Sequence, residues 1–91
     1  MSVTRTESDI ESLRQRVQQK VDRECTRKRL DFRLIVKEAS VEEEEWVYVI
    51  VVPDREGVRA YDYAKVLSDV ELELRRDEHE QHVLILPALD D

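Results

Sequence analysis

Apolar residues near the start of the chain recur at steps of three and four positions. Ser8 and Glu11 have the spacing of a capping box, in which each side chain bonds the other residue's backbone N–H. The apolar residues of this region form a single stripe, made of Ile10, Leu13, Val17 and Val21. This period predicts an amphipathic helix of about four turns that packs along one narrow edge.

The pattern then changes from helical spacing to alternation. Leu30, Phe32, Leu34 and Val36 point one way, and the intervening positions are polar except for Ile35. Such alternation predicts a half-buried strand. The segment 38–45 follows as an acidic hairpin turn, and its short length predicts that the first two strands are antiparallel.

The second strand carries the most unusual pattern in the chain. Residues 46–52, WVYVIVV, are seven apolar or aromatic residues without a polar interruption. A strand with one face in water should alternate polar and apolar side chains. The sequence therefore predicts that something apolar contacts both faces of this strand.

The last third of the chain predicts a helix and a short strand. Pro53 ends the second strand, and a loop with the only glycine, Gly57, leads into a helix from about Arg59 to Asp77. The segment VLIL, ended by Pro87, is a third strand. The element order is α-β-β-α-β, with residues 1–6 frayed.

This order predicts an α+β fold with two helices packed on a three-stranded mixed sheet. Strand two, the second helix and strand three form a crossover connection, which is right-handed in nearly all proteins. The predicted strand order is 1-2-3, with strands 1 and 2 antiparallel and strands 2 and 3 parallel. The most apolar strand is then central, where both of its edges are paired.

Placing both helices on one face of this sheet leaves the other face bare. We favour that placement over one helix on each face. The candidate interface is Ile35, Val47, Val49 and Val51, or, if strand two faces the other way, its neighbours Trp46, Tyr48, Ile50 and Val52. A bare face of this kind is roughly several hundred Å² of apolar surface, more than monomers usually expose.

Composition limits the class of protein. A chain of 91 residues, with 41% hydrophobic and 41% charged residues, is one domain, 1–91, with enough clustered apolar residues to fold. The single cysteine, Cys25, excludes an internal disulfide, and the N-terminus lacks the apolar stretch of a signal peptide. We expect a cytoplasmic protein without a membrane-spanning segment.

Charge is unevenly distributed along the chain. The net charge is −7; residues 1–37 hold 10 Lys and Arg against 6 Asp and Glu (net +4), and residues 38–91 hold 5 against 16 (net −11). Opposed halves either neutralise each other within one molecule or attract a second molecule. We favour neutralisation within the molecule.

A basic segment at the end of the first helix is the best case for nucleic-acid binding. It contains Arg23, Arg27, Lys28, Arg29 and Arg33. Phosphate binding needs such a patch. The order α-β-β-α-β also resembles a pared-down type II KH domain, which would imply RNA binding. The resemblance is one of element order only, because the GxxG loop of that family is missing. We favour the structural explanation, in which the segment compensates the helix dipole and contacts the acidic half of the chain, and we expect no nucleic-acid partner.

The loop after strand two is a candidate site for an anion or small ligand. Ligands of open α/β sheets bind beyond the carboxyl ends of parallel strands, near helix N-termini. The candidate residues here are Asp54, Arg55, Arg59 and Tyr61. The alternative is structural: Asp54 caps the second helix, Tyr61 packs half-buried, and the arginines are solvated.

No pattern in the chain predicts catalysis, a metal or a cofactor. His79 and His82 lie three residues apart without a convincing third and fourth ligand, and Cys25 has no histidine near it in sequence. We therefore expect a protein that is not an enzyme. The favoured function is a small protein-interaction module, a homodimer or a subunit that docks on another protein, which associates through an apolar sheet face. The alternatives are a nucleic-acid-binding accessory protein and a ligand-binding protein.

Overall fold

A computed structural model describes residues 7–41 and 46–88, and it contains two helices and three strands in the predicted order. Helix α1 is Glu7–Arg27, and helix α2 is Ala60–Asp77. Strand β1 is Leu34–Val41, β2 is Val47–Pro53 and β3 is Val83–Pro87. The predicted fraying of residues 1–6 lies outside the described residues.

The sheet has the predicted topology. Its strand order is β1-β2-β3, with β1 antiparallel and β3 parallel to β2. The central strand, β2, is the one with the uninterrupted apolar sequence. Its backbone is therefore paired with another strand along both edges.

Both helices pack on the same face of the sheet, as the sequence favoured. Alternate residues of β2, Val47, Val49 and Val51, are fully buried beneath them. The helices contribute stripes of buried residues: Leu13, Val17, Val21 and Cys25 from α1, and Tyr63, Val66, Leu67, Val70 and Leu74 from α2. The shortest dimension of the molecule is 19 Å. That thickness fits one helical layer and one sheet at about 10 Å per layer.

Strand β1 and helix α1 differ from the prediction in length. Leu30 and Phe32 precede β1, and the strand continues through residues 38–41, where the sequence predicted a turn. The rest of that predicted turn, 42–45, lies outside the described residues. Helix α1 has 21 residues rather than about four turns, since buried Glu24 and Cys25 extend its contacts beyond Val21.

A β-bulge explains why the predicted alternation of β1 stops at Val36. The register pairs Val36 with Val51 and then Glu38 with Ile50, so Lys37 has no opposite residue. The bulge moves Glu38 away from the core and brings Ala39 against it. The sequence carries this signal, because apolar residues occupy positions 34 and 36 and then positions 39 and 41.

The helix ends use local hydrogen bonds that the sequence only partly predicted. At the end of α1, Arg29 has φ 56°, and the N–H groups of Arg29 and Leu30 bond back to Thr26 O and Cys25 O. This is a Schellman motif with arginine at the position that favours glycine. At the start of α2, the Asp62 carboxylate accepts the Arg59 N–H at 2.9 Å. Asp62 therefore does the capping that the sequence assigned to Asp54.

Candidate interaction surface

The face of the sheet opposite the helices is apolar and uncovered by the described residues. We call it the open face, and the register assigns to it Ile35, Glu38, Ser40, Tyr48, Ile50, Val52, Leu84 and Leu86. Ile35 is 46% exposed, and the apolar residues of β2 and β3 in this set are half-buried. Six of the eight side chains are large and apolar or aromatic, so the open face has the composition of an interior.

The candidate interface residues of β2 were assigned to the wrong face. Val47, Val49 and Val51 are in the core, while Tyr48, Ile50 and Val52 are on the open face. Only Ile35 of the original set lies on the open face. The uninterrupted apolar run cannot distinguish these two possibilities, because both sets of alternate residues are apolar.

One end of the open face is bordered by an aromatic pair. The rings of Trp46 and His82 meet edge to face with centroids 5.1 Å apart. Each residue directly precedes a strand of the parallel pair, β2 or β3, and Val47 N–H bonds to His82 O at 2.8 Å. This contact ties the beginnings of the two strands together. His82 thus packs against Trp46 at this end of the sheet.

The outer edge of β1 is covered by a side chain from α1. The Gln18 amide donates to Leu34 O at 2.9 Å and accepts the Val36 N–H at 2.8 Å. These are the bonds that another strand would make at this edge. Gln18 therefore blocks strand addition at the first part of β1.

The outer edge of β3 is covered in a similar way by α2. His82 O and Ala88 N form hydrogen bonds with β2. The backbone N–H and C=O groups of even-numbered residues in β3 therefore point towards β2, and those of odd-numbered residues point towards the outer edge of the sheet. The backbone N–H of Ile85 points to the outer edge and donates to the Glu71 carboxylate at 3.3 Å, and Pro87 has no N–H. Both edges of the sheet are thus partly closed, which leaves the open face as the accessible apolar surface.

The opposed charges of the two halves meet inside one molecule. Lys20 Nζ lies 2.8 Å from carboxylate oxygens of both Glu73 and Glu78, and Arg16 pairs with Glu78 and Glu80. Hydrogen bonds from Lys20, and then from Arg16, hold the pKa of Glu78 below its usual value. Burial alone would lower the pKa of Lys20, but its hydrogen bonds to Glu73 and Glu78 raise it.

The basic segment is largely engaged in the same layer. Arg23 pairs with Glu73, Arg27 with Glu24, and Lys28 with Asp69 at 3.1 Å. Arg33 donates to Thr26 Oγ1 at 2.8 Å. Arg29 occupies the Schellman turn instead. Since carboxylates neutralise three of these five cations, the segment offers phosphate much less charge than the sequence suggests.

The loop after β2, including Arg59, lines a cavity of about 590 Å³, in which Asp54 and Arg55 pair with each other. Asp54 accepts the Arg33 N–H at 3.0 Å and the Arg55 Nε–H at 3.1 Å, and these bonds keep the pKa of Asp54 below its usual value. Tyr61 is 89% exposed and does not line this cavity. Because Asp62 occupies the first turn of α2, the helix terminus is already compensated by a carboxylate.

The described residues 7–41 and 46–88 supply neither a metal cluster nor a reactive thiol. No group of three or more potential metal ligands occurs among them. Cys25 is 1% exposed, and burial raises the pKa of its thiol. A thiol of this kind is largely unreactive at neutral pH.

Comparison of the chain with protein-family models, with curated proteins and with solved structures finds no match. Within the described part of the chain, neither helix is both long enough and apolar enough to cross a membrane. The physical features of the open face are therefore the basis for inferring a function.

Sequence reasoning missed Gln18 and Glu71, the residues that cover the sheet edges. Each is a polar residue of an amphipathic helix, and its local sequence does not distinguish it from the solvated polar residues of that helix. Their roles depend on where the helices cross the sheet, which local sequence does not encode.

Proposed function

We propose that the chain is a non-catalytic protein-interaction module that acts in the cytoplasm and docks a protein on the open face of its sheet. The observation that carries this proposal is the apolar composition of that face, with Tyr48, Ile50 and Val52 on the central strand. Exposed apolar surface on this scale favours association. A single buried thiol, Cys25, suits a reducing compartment.

The parallel pairing of β2 with β3 also supports the proposal. Parallel strands occur almost entirely in sheets whose two faces are both covered. Here the helices cover one face, and no described residue covers the other. A docked protein would supply the missing layer.

Photocrosslinking in the cells that produce the protein tests this proposal. A photoreactive phenylalanine analogue replaces Tyr48 in one variant and Tyr61, which is exposed on α2, in a matched control. We expect protein adducts from position 48 and few from position 61. Adding Ile50→Asp to the position-48 variant should abolish the adducts.

The opposite results would contradict the proposal. They are an absence of adducts at position 48, equal yields at both positions, or adducts that persist with Ile50→Asp. Circular dichroism of each purified variant establishes that the fold is retained.

A further inference from the structure

We infer that residues 39–41 of β1 are a site for strand addition, which binds an extended segment of another protein in which basic and apolar residues alternate. We call these residues the free edge. This site is separate from the proposed function, because it lies on the outer edge of the sheet and not on the open face. Three features support it: the direction of the backbone groups, the groove beside them and the surrounding charges.

The backbone groups of Ala39 and Val41 point to the outer edge of the sheet. Val47 N–H and Val51 O both bond towards β3, so alternate residues of β2 direct their backbone groups away from β1. Opposite residues of an antiparallel pair either bond to each other or both point away. Ala39 lies opposite Val49, and Val41 lies opposite Val47. The N–H and C=O groups of Ala39 and Val41 therefore point outward.

The side chains of α1 nearest to the free edge bond to each other and leave it uncovered. Gln18 covers only the first part of β1, and the residues one and two turns before it on the same side of α1 are Arg14 and Glu11. Arg14 Nη1 donates to Glu11 Oε1 at 3.4 Å. Within residues 7–41 and 46–88, no hydrogen bond reaches the outward groups of Ala39 and Val41. An added strand would supply these bonds.

A groove of about 290 Å³ lies beside the free edge, on the helical side of the sheet. Its apolar residues are Ile10, Ala39 and Val41, and Val41 is 45% exposed. A strand paired at the free edge directs every second side chain to this side of the sheet. Such a side chain would lie over Ile10, so the groove selects an apolar residue at alternate positions of the partner.

Carboxylates outnumber basic groups around the free edge. Exposed Glu7 and Glu11 line the groove, together with Arg14, which Glu11 already binds. Exposed Lys37 and Glu38 precede the free edge, and the sequence continues after it into four glutamates, 42–45. Seven carboxylates thus accompany two basic groups. This charge favours basic residues in the added strand, and it disfavours a second copy, whose own acidic residues would meet these.

The short length of the free edge predicts weak binding. An added strand gains a few hydrogen bonds from Ala39 and Val41 and buries an aliphatic side chain in the groove. We therefore expect a dissociation constant on the order of 100 µM at about 0.05 M salt. Binding should weaken about 5-fold or more at about 0.5 M salt, because salt screens the attraction between the charges.

Fluorescence anisotropy with labelled heptapeptides tests the chemistry of the partner. The probe alternates lysine with valine. One control alternates glutamate with valine, and the other alternates lysine with proline, which keeps the charge but cannot extend a sheet. The full chain should bind the probe at least about 5-fold more tightly than either control. Equal affinity for the probe and either control, or no binding of the probe at low salt, would overturn the inference.

Amide hydrogen exchange measured by NMR locates the bound probe. Saturation of the full chain with the probe should slow exchange at Ala39 and Val41 by about 10-fold or more, because their N–H groups acquire acceptors. The Val36 N–H already bonds to Gln18, so it is the internal reference and should change little. Binding of the probe without slower exchange at Ala39 and Val41 would overturn the inference.

A matched pair of variants tests the outward N–H itself. Val41→Pro removes that donor from the edge of the sheet and should weaken binding of the probe by about 10-fold or more. Val41→Thr keeps the N–H and the β-branched side chain, so it should weaken binding by less than about 3-fold. Circular dichroism establishes that both variants are folded, and equal affinities of the two folded variants would contradict strand addition.

Exchange in the free chain tests the other possible occupants of the edge. Ala39 and Val41 should exchange rapidly when no peptide is present. Slow exchange at every protein concentration would assign the edge to another segment of the same chain, such as residues 1–6, and would overturn the inference. Slow exchange only in concentrated protein would assign the edge to a second copy, with the same consequence. Photocrosslinking at position 48 reports on the open face alone, so the two proposals can fail separately.

Discussion

The two faces of β2 have nearly the same hydrophobicity and opposite environments. Val47, Val49 and Val51 are fully buried by two helices, whereas Tyr48, Ile50 and Val52 remain half-exposed. The covered face has smaller side chains, which let the helices approach closely. The open face has larger ones, which project further. The comparison teaches that an apolar face need not belong to the core of its own chain, and that the helices decide which face does.

The largest expected effect comes from placing a carboxylate on each face of β2 in turn and comparing the stability of the two variants. Val49→Asp places a carboxylate in the core and should cost about 4 kcal/mol or more, enough to unfold much of the protein. Ile50→Asp should change the stability of the monomer by less than about 1 kcal/mol, because its side chain lies outside the core. Urea unfolding followed by circular dichroism measures both. Equal destabilisation would show that the open face is part of the folding core.

The next effect concerns the outer edge of the first part of β1, which the Gln18 side chain covers. Gln18→Ala leaves Leu34 O and Val36 N without their partner and should cost about 1–2 kcal/mol. It should also increase concentration-dependent aggregation, since an unpaired edge accepts another strand. Gln15→Ala is the matched control on the same helix; Gln15 is exposed, and its amide donates a hydrogen bond to Glu11 at 3.4 Å. Urea midpoints and light scattering measure the two effects, and indistinguishable variants would contradict the role of Gln18.

A smaller expected effect is the pH dependence of the free energy of unfolding, which arises from carboxyl groups in the helical layer. The pKa values of Glu78 and Asp69 are lowered by their lysine partners in the helical layer. Their contribution to stability is present above the ordinary carboxyl pKa of about 4 and is lost as pH falls through the lowered values.

Urea midpoints between neutral and acidic pH measure this trend. Glu78→Gln should flatten the pH dependence of unfolding, because it removes one of the carboxyl groups whose pKa is lowered. A Glu78→Gln variant with the same pH dependence as the wild type would contradict this role of Glu78.

The smallest expected effect lies off both faces. Arg29 has a left-handed backbone, φ 56°, in the turn that follows α1. Arg29→Gly removes that strain and should stabilise the protein by about 0.5–1 kcal/mol. Arg29→Ala removes the same charge but keeps the strained Cβ, so it should give no gain. Thermal unfolding of the wild type and both variants checks these two statements.

The sequence predicted the element order and topology because these depend on repeated patterns. The stripe of α2 and the short apolar segment of β3 are each recognisable without tertiary information. The face of β2 was not predictable in the same way, since alternate positions carry no polar contrast. The coverage of the sheet edges by Gln18 and Glu71 depends on helix placement and leaves no local signal. The prediction that a sheet face is the site stays a prediction, and its β2 residues were wrong because Val47, Val49 and Val51 are buried in the core.

The bulge in β1 makes the strand tolerant of losing one residue. Lys37 faces no residue of β2, while the residues on either side of it keep ordinary partners. Deleting Lys37 would leave Val36 opposite Val51 and the next residue opposite Ile50, with every other side chain on its present face. A deletion elsewhere in the paired strand would exchange inside for outside along the rest of its length. Within the paired residues of β1, the bulge at Lys37 is therefore a position where the strand can lose a residue without turning its core side chains outward.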